Sequence, residues 1–130
     1  MKAELQELRA IAERSLADAR LEGLSTDGKY GHAYEAARAF ATMVVRASGH
    51  RVRTHGGGHY NTFLALEAAD PKLFARPAAY FNTCREKRNE FSYELAGVVS
   101  ELEVQELLRE VSEFALLVGR WIQERHPELA

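Results

Sequence analysis

Cysteine and long apolar runs are nearly absent from this sequence, and each absence excludes a class of protein. The single cysteine, Cys84, excludes an internal disulfide framework and a cysteine-rich zinc site. No apolar run reaches the roughly 18 residues of a membrane span, and the N-terminal MKAELQELRA lacks the apolar stretch of a signal peptide. Because the chain has 130 residues and 46% hydrophobic content, we expect one domain over 1–130. We expect this domain to be soluble and cytoplasmic and not to associate with a membrane.

Acidic residues are also absent from a long internal stretch, between Ala36 and Leu66. Residues 36–88 carry nine Lys/Arg and three Asp/Glu, a net of +6, whereas the flanks 1–35 and 89–130 together carry a net of −8. The total of −2 therefore hides a segregated chain. A basic surface attracts polyanions, so this segregation favours an anionic partner. The alternative is that acidic helices pair with basic helices inside the fold.

Helical periodicity runs through most of the chain. Apolar residues recur at three- and four-residue spacing from Leu5 to Ala19, which predicts a first helix. A second helix is predicted from about Lys29 to Ser48, and its many alanines allow neighbouring helices to approach closely, so we expect it to be central. Ser100 and Glu103 form a Ser-x-x-Glu capping box that predicts the start of the last helix.

Glycine and proline divide the middle of the chain. The stretch HRVRTHGGGHYN is predicted to be a loop, because three consecutive glycines oppose a helix. A short helix is expected from about Tyr60 to Ala68. Pro77 is expected to separate a turn near Leu73–Phe74 from a long helix over about Ala78–Leu95. These elements predict an all-α fold, an antiparallel helical bundle of four long helices plus a short helix.

Histidines in the glycine loop raise the question of a metal site. His55 and His59 are four residues apart, but the glycines between them argue against the helix that would put both on one face. We therefore expect no metal and no cofactor. A polar loop in which His59 caps the third helix is one alternative. An anion-binding loop made by Arg51, Arg53, His55 and the glycine amides is another.

The richest polar pattern lies on the predicted helix around Cys84. Arg85, Arg88, Asn89 and Ser92 share one face by their spacing, and Tyr93 borders that face. Guanidinium, amide, hydroxyl and phenol groups together are suited to binding phosphate and stacking on a base. The alternative is a solvated face on which neighbouring glutamates neutralise the arginines. Cys84 itself is expected to be packed rather than reactive.

The run Arg88-Asn89-Glu90-Phe91-Ser92-Tyr93, together with His32-Ala33-Tyr34-Glu35-Ala36-Ala37-Arg38-Ala39-Phe40, resembles the HEPN superfamily (higher eukaryotes and prokaryotes nucleotide-binding). The resemblance extends over about 26–121. It implies a helical domain that forms a homodimer, and in many members a metal-independent ribonuclease toxin encoded beside a nucleotidyltransferase antitoxin. Other members only bind nucleotide or RNA.

The motif departs from the active pattern at one position. The resemblance aligns Arg88 with the family's arginine and Asn89 with its polar residue, but Tyr93 stands where active members have histidine. A phenol with a pKa near 10 is a poor base at neutral pH, whereas imidazole titrates near 6.5. We therefore expect binding of nucleotide or RNA without efficient catalysis. A metal-independent ribonuclease using Arg88, Asn89 and Tyr93 and a purely structural protein-interaction bundle are the two alternatives.

Overall fold

A computed structural model describes residues 1–51, 58–93 and 98–130, with the side chains of 91–93 excepted. This part of the chain contains five α-helices, a terminal 3₁₀ turn and no strand. The prediction of an all-α fold is thereby confirmed. The elements are α1 (Lys2–Ala19), α2 (Thr26–Ala47), α3 (Gly58–Ala69), α4 (Pro71–Tyr93), α5 (Glu101–Arg125) and the 3₁₀ turn Pro127–Leu129.

Helix α2 occupies the centre of the fold, as its alanines predict. It contacts α1, α3, α4 and α5. Its alanines give a helix surface with little protruding volume, and these side chains are fully buried: Ala33, Ala36, Ala37 and Ala41. The helix begins after Ser25, whose side chain accepts a hydrogen bond from the Gly28 backbone N–H at 3.0 Å. A central α2 means that side chains on its outer positions meet residues from several other helices.

Helix α4 corrects the prediction that Pro77 separates two elements. It runs without interruption from Pro71 through Pro77, so the predicted turn at Leu73–Phe74 and start at Ala78 are wrong. Pro71 stands in the first turn, where its missing N–H is not needed. Pro77 removes one internal hydrogen bond, but it is buried and is flanked one turn away by buried Phe74 and Phe81. Packing therefore outweighs the local preference against proline.

Helix α3 also begins earlier than predicted. Gly58 and His59 lie inside its first turn, where the pattern predicts loop. The Thr62 hydroxyl donates to the Gly58 carbonyl at 3.0 Å, and the side chains of Thr62, Phe63 and Leu66 are buried. The consequence for function is that His59 projects from a helix that packs on α2 and α4.

Helix α5 is joined to the rest of the core by aromatic rings. The predicted capping box is present, with Glu103 N–H donating to Ser100 Oγ at 3.1 Å and Ser100 N–H donating to Glu103 Oε1 at 3.0 Å. Phe114 packs against Phe74 and Phe81 of α4, with ring centroids 6.1 and 5.0 Å away. Trp121 is buried and donates its indole N–H to Asp70 Oδ2 at 3.3 Å. Across the described residues, no helix is both long enough and apolar enough to cross a membrane.

Candidate functional site

Arg88 of α4 points to α2, where it meets a carboxylate and an aromatic ring. Its guanidinium lies 3.1 Å from Glu35 Oε1. The central carbon of this guanidinium lies 5.3 Å from the centre of the Tyr34 ring, within the range of a cation–π contact. Arg88 therefore has one face on an aromatic ring and one edge on a carboxylate, and its side chain keeps 30% of its exposure.

Arg38 binds the second oxygen of the Glu35 carboxylate. Its Nε and Nη2 donate to Glu35 Oε2 at 3.2 and 3.0 Å. Glu35 and Arg38 are three residues apart on α2, the spacing at which side chains on one helix meet. Glu35 thus lies between two guanidinium groups from two helices: its Oε2 accepts charge-assisted hydrogen bonds from Arg38, and its Oε1 forms an ion pair with Arg88.

Arg85 adds a third guanidinium one helical turn before Arg88. Its Nε donates to Asn82 Oδ1 at 2.9 Å, and its guanidinium carbon lies 5.5 Å from the centre of the Tyr60 ring. Tyr60 of α3 is exposed, so the ring is accessible to solvent beside a cation. Glu86 approaches Arg85 only at 3.9 Å. This pairing of an aromatic ring and an arginine is suited to stacking on a nucleobase.

His59 of α3 contacts Tyr34 and is influenced by the charged groups of α2 and α4. Its Nδ1 is 3.0 Å from the Tyr34 hydroxyl, and the two rings stack with centroids 5.9 Å apart. Burial is the main cause that lowers the pKa of His59, and Arg38, Arg88 and Arg85 lower it further against the opposing effect of Glu35. Burial likewise raises the pKa of Tyr34 well above its ordinary value. At neutral pH the site therefore contains a neutral imidazole and a protonated phenol.

We name these side chains the α2–α4 site: Tyr34, Glu35, Arg38, His59, Arg85 and Arg88. Three guanidinium groups and one carboxylate give it a net charge of +2 at neutral pH. The arginines are accessible without being fully solvated, with exposed fractions of 37% for Arg38, 22% for Arg85 and 30% for Arg88. Partial burial strengthens their attraction for an anion, because solvent screens the charges less.

The predicted site residues fall into three groups. Arg85 and Arg88 meet in the α2–α4 site, and Asn89 follows Arg88 on the same helix, half-buried. Arg51 instead pairs with Glu4 Oε2 at 3.2 Å, beside Arg46, which pairs with Glu4 Oε1. With a rise of about 1.5 Å per residue, Arg46 lies about 16 Å further along α2 than Glu35. Outside the described residues lie Arg53, His55 and the side chains of Ser92 and Tyr93.

Four members of the site, Tyr34, Glu35, Arg38 and His59, are not among the residues that the sequence predicts to bind. Glu35 and Arg38 carry a signal in their three-residue spacing, but nothing in the sequence says that a residue fifty positions later approaches them. His59 follows directly after three glycines, which favours a loop. The signal that identifies it is its four-residue separation from Phe63, a buried residue of the same helix.

The remaining reactive residues lie elsewhere. Burial raises the pKa of Cys84 to about 11, against the effect of hydrogen bonds with Tyr30 and Tyr80. A thiol with so high a pKa is hardly ionised at neutral pH, which agrees with its predicted packing in the core. Over residues 1–51, 58–93 and 98–130, no group of three His, Cys, Asp or Glu side chains is placed to hold a metal ion.

No protein-family model matches the chain, and neither the curated proteins nor the solved structures contain a match to it.

Proposed function

We propose that this chain is a HEPN-like module that binds nucleotide or RNA through the α2–α4 site. The observation that carries the proposal is the gathering of three guanidinium groups from α2 and α4 beside the rings of Tyr34 and Tyr60. Phosphate is recognised by arginine through paired hydrogen bonds, and bases stack on exposed aromatic faces, which here means Tyr60 because Tyr34 is buried. A site with both features fits a nucleotide better than an isolated inorganic anion.

The finer features of this proposal come from the resemblance. They are an antiparallel arrangement of four long helices, a homodimer, and a nucleotidyltransferase partner as in toxin–antitoxin pairs. The all-helical core around α2 is compatible with each of them. A dimer is tested by light scattering of the purified protein, and a nucleotidyltransferase partner by co-purification with the product of an adjacent gene.

The test of binding is salt-dependent association with a fluorescent oligouridylate, measured by anisotropy. We expect Arg88→Ala to weaken binding by about tenfold or more, because a charge-assisted hydrogen bond contributes roughly 1.5–3 kcal/mol. The matched control is Arg76→Ala, which removes an arginine from the exposed face of the same helix, where it pairs with Glu110 at 2.8 Å. Equal affinity of wild type and Arg88→Ala would reject the site, and indifference to polyanions would favour a protein-interaction module.

A metal-independent ribonuclease is the second candidate, and His59 is the observation that favours it. The imidazole and the Arg88 guanidinium both contact Tyr34, so a proton-transferring group and a cation for phosphate charge belong to one site without Tyr93. Purified protein would then cleave RNA in the presence of chelator, and Tyr93→His would increase the rate. Absence of cleavage by both proteins would leave binding as the function.

A further inference from the structure

The hydrogen bond between Tyr34 and His59 determines which imidazole nitrogen faces a ligand. The Tyr34 side chain is fully buried, and a buried hydroxyl that does not donate loses a hydrogen bond. Because the phenol keeps its proton, we assign that proton to the 3.0 Å contact with His59 Nδ1. In the neutral ring the other proton then lies on Nε2. Nε2–H is a hydrogen-bond donor that Tyr34 does not occupy.

The charges around His59 favour an anion as the partner of this donor. Arg38 on α2 and Arg85 and Arg88 on α4 all act on the imidazole, and Glu35 is the acidic group that opposes them. On α3 itself, the nearest aromatic neighbour in sequence is Tyr60, which faces Arg85. The described surroundings of the ring are therefore positive on balance, which suits a phosphate oxygen and not a cation.

We propose that His59 contacts the phosphate of the ligand through Nε2–H and takes up a proton at Nδ1 when that ligand binds, so that affinity rises as the pH falls. The Tyr34 hydroxyl, which donates to Nδ1 in the free protein, then rotates and accepts from Nδ1–H. This inference rests on the proposed function, because it assigns a role to one residue of the same site. It goes further by making binding responsive to pH near neutrality. The competing interpretation is that His59 only satisfies the buried Tyr34 hydroxyl.

The physical basis is that a bound phosphate opposes the positive field of the arginines at the ring. In the free protein, burial and the three arginines hold the pKa of His59 below 6.5. A bound phosphate places negative charge beside the imidazole and neutralises part of the arginine field, so the pKa rises in the complex. Where the complex binds more protons than the free protein, linkage requires that lowering the pH tightens binding.

The experiment measures the affinity of oligouridylate from about pH 5.5 to 8, a window in which histidine is the side chain that ordinarily titrates. Phosphodiesters keep their single charge over this window, so the ligand contributes no slope. We expect wild-type affinity to rise as the pH falls, by at most tenfold per pH unit for one proton. In His59→Gln the slope should be lost or strongly reduced, and binding at pH 8 should be weaker but still measurable, because the arginines remain. The control is His50→Gln, because His50 is exposed beyond the far end of α2.

A second measurement examines the ring itself. Nitrogen NMR of His59 should show the Nε2–H tautomer in wild type, loss of that preference in Tyr34→Phe, and an increase in the His59 pKa when oligouridylate is added. An Nδ1–H tautomer, or a His59 pKa unchanged by the ligand, would contradict the inference. If His59→Gln keeps the full pH slope, His59 is not the responsive group and the proposed function stands. If wild type fails to bind at every pH, the proposed function and this inference both fail.

Discussion

Two carboxylates in this protein are each held between two arginines, and their surroundings differ. Glu4 joins Arg46 and Arg51, tying the first turn of α1 to the C-terminal end of α2. Glu35 joins Arg38 and Arg88 in the middle of the fold. The charges of the two clusters are the same, but the Glu35 cluster also has a third arginine, an imidazole and an aromatic ring close to it.

The difference shows that an Arg–Glu–Arg arrangement is not by itself a binding site. In the Glu4 cluster, the bridge connects two helix ends, and Arg51 is 68% exposed, so much of its charge is screened by solvent. In the Glu35 cluster, the Arg88 guanidinium lies over the Tyr34 ring, and both guanidinium groups remain partly buried. We therefore assign stability to the first cluster and ligand binding to the second. The following variants test that division.

The largest expected effect is on stability at the Glu4 cluster. Glu4→Gln should lower the free energy of unfolding by about 1–2 kcal/mol, because it leaves the half-buried Arg46 without its counter-charge. Urea denaturation measures this change. The control Glu7→Gln alters an exposed acid of the same helix and should stay within about 0.5 kcal/mol of wild type. If Glu4→Gln is as stable as the control Glu7→Gln, the Glu4 cluster has no structural role.

The next effect is on affinity at the Glu35 cluster. Glu35→Gln should strengthen binding of oligouridylate by about fivefold, because removing a carboxylate next to the ligand relieves about 1 kcal/mol of repulsion at a water-like dielectric. Glu4→Gln should leave that affinity unchanged. Weaker binding by Glu35→Gln would mean that the carboxylate positions Arg38 and Arg88 for the ligand instead of competing with it.

A smaller effect is expected at Arg51, which the sequence predicts as a binding residue. Arg51→Ala should cost less than about 1 kcal/mol of stability, as is usual for an exposed ion pair, and should change oligouridylate affinity far less than Arg88→Ala does. Equal losses of affinity in the two variants would show that the two clusters act as one extended basic surface.

The smallest effect is the pH dependence of stability contributed by His59. Its pKa is lowered in the folded protein, so between the folded and unfolded pKa values the unfolded chain binds more protons. Stability from this group is complete above about 6.5 and decreases as the pH falls toward the folded pKa. Thermal unfolding of His59→Gln should show a flatter profile below that pH than wild type. Parallel profiles would indicate that the imidazole titrates normally.

The sequence predicts the helices better than their junctions, for a physical reason. Apolar periodicity and the Ser100 capping box are local signals, and the helices and cap they predict are present. Pro77 and Gly58 oppose helix locally, yet both lie inside helices. What decides their conformation is packing against residues distant in the chain, such as Phe114 against Phe81, and this contribution is not visible in a local pattern.

The same limit applies to the candidate site. Arg85 and Arg88 are recognisable because they share a helix face and belong to a motif. Glu35 and Arg88 are 53 positions apart, and their 3.1 Å contact depends on how α2 packs against α4. His59 enters the site because α3 begins at Gly58. Long-range packing therefore assembles the part of the site that the sequence does not predict.

The central position of α2 determines which parts of the α2–α4 site can move. Amide hydrogens exchange through local opening where tertiary contacts are few, and through global unfolding where they are many. Helix α2 contacts four other helices, so its amides should be among the slowest to exchange, and Glu35 and Arg38 are anchored on the most protected element. His59, Arg85 and Arg88 belong to α3 and α4. Ligand-dependent changes in exchange should therefore appear on those two helices while α2 stays protected.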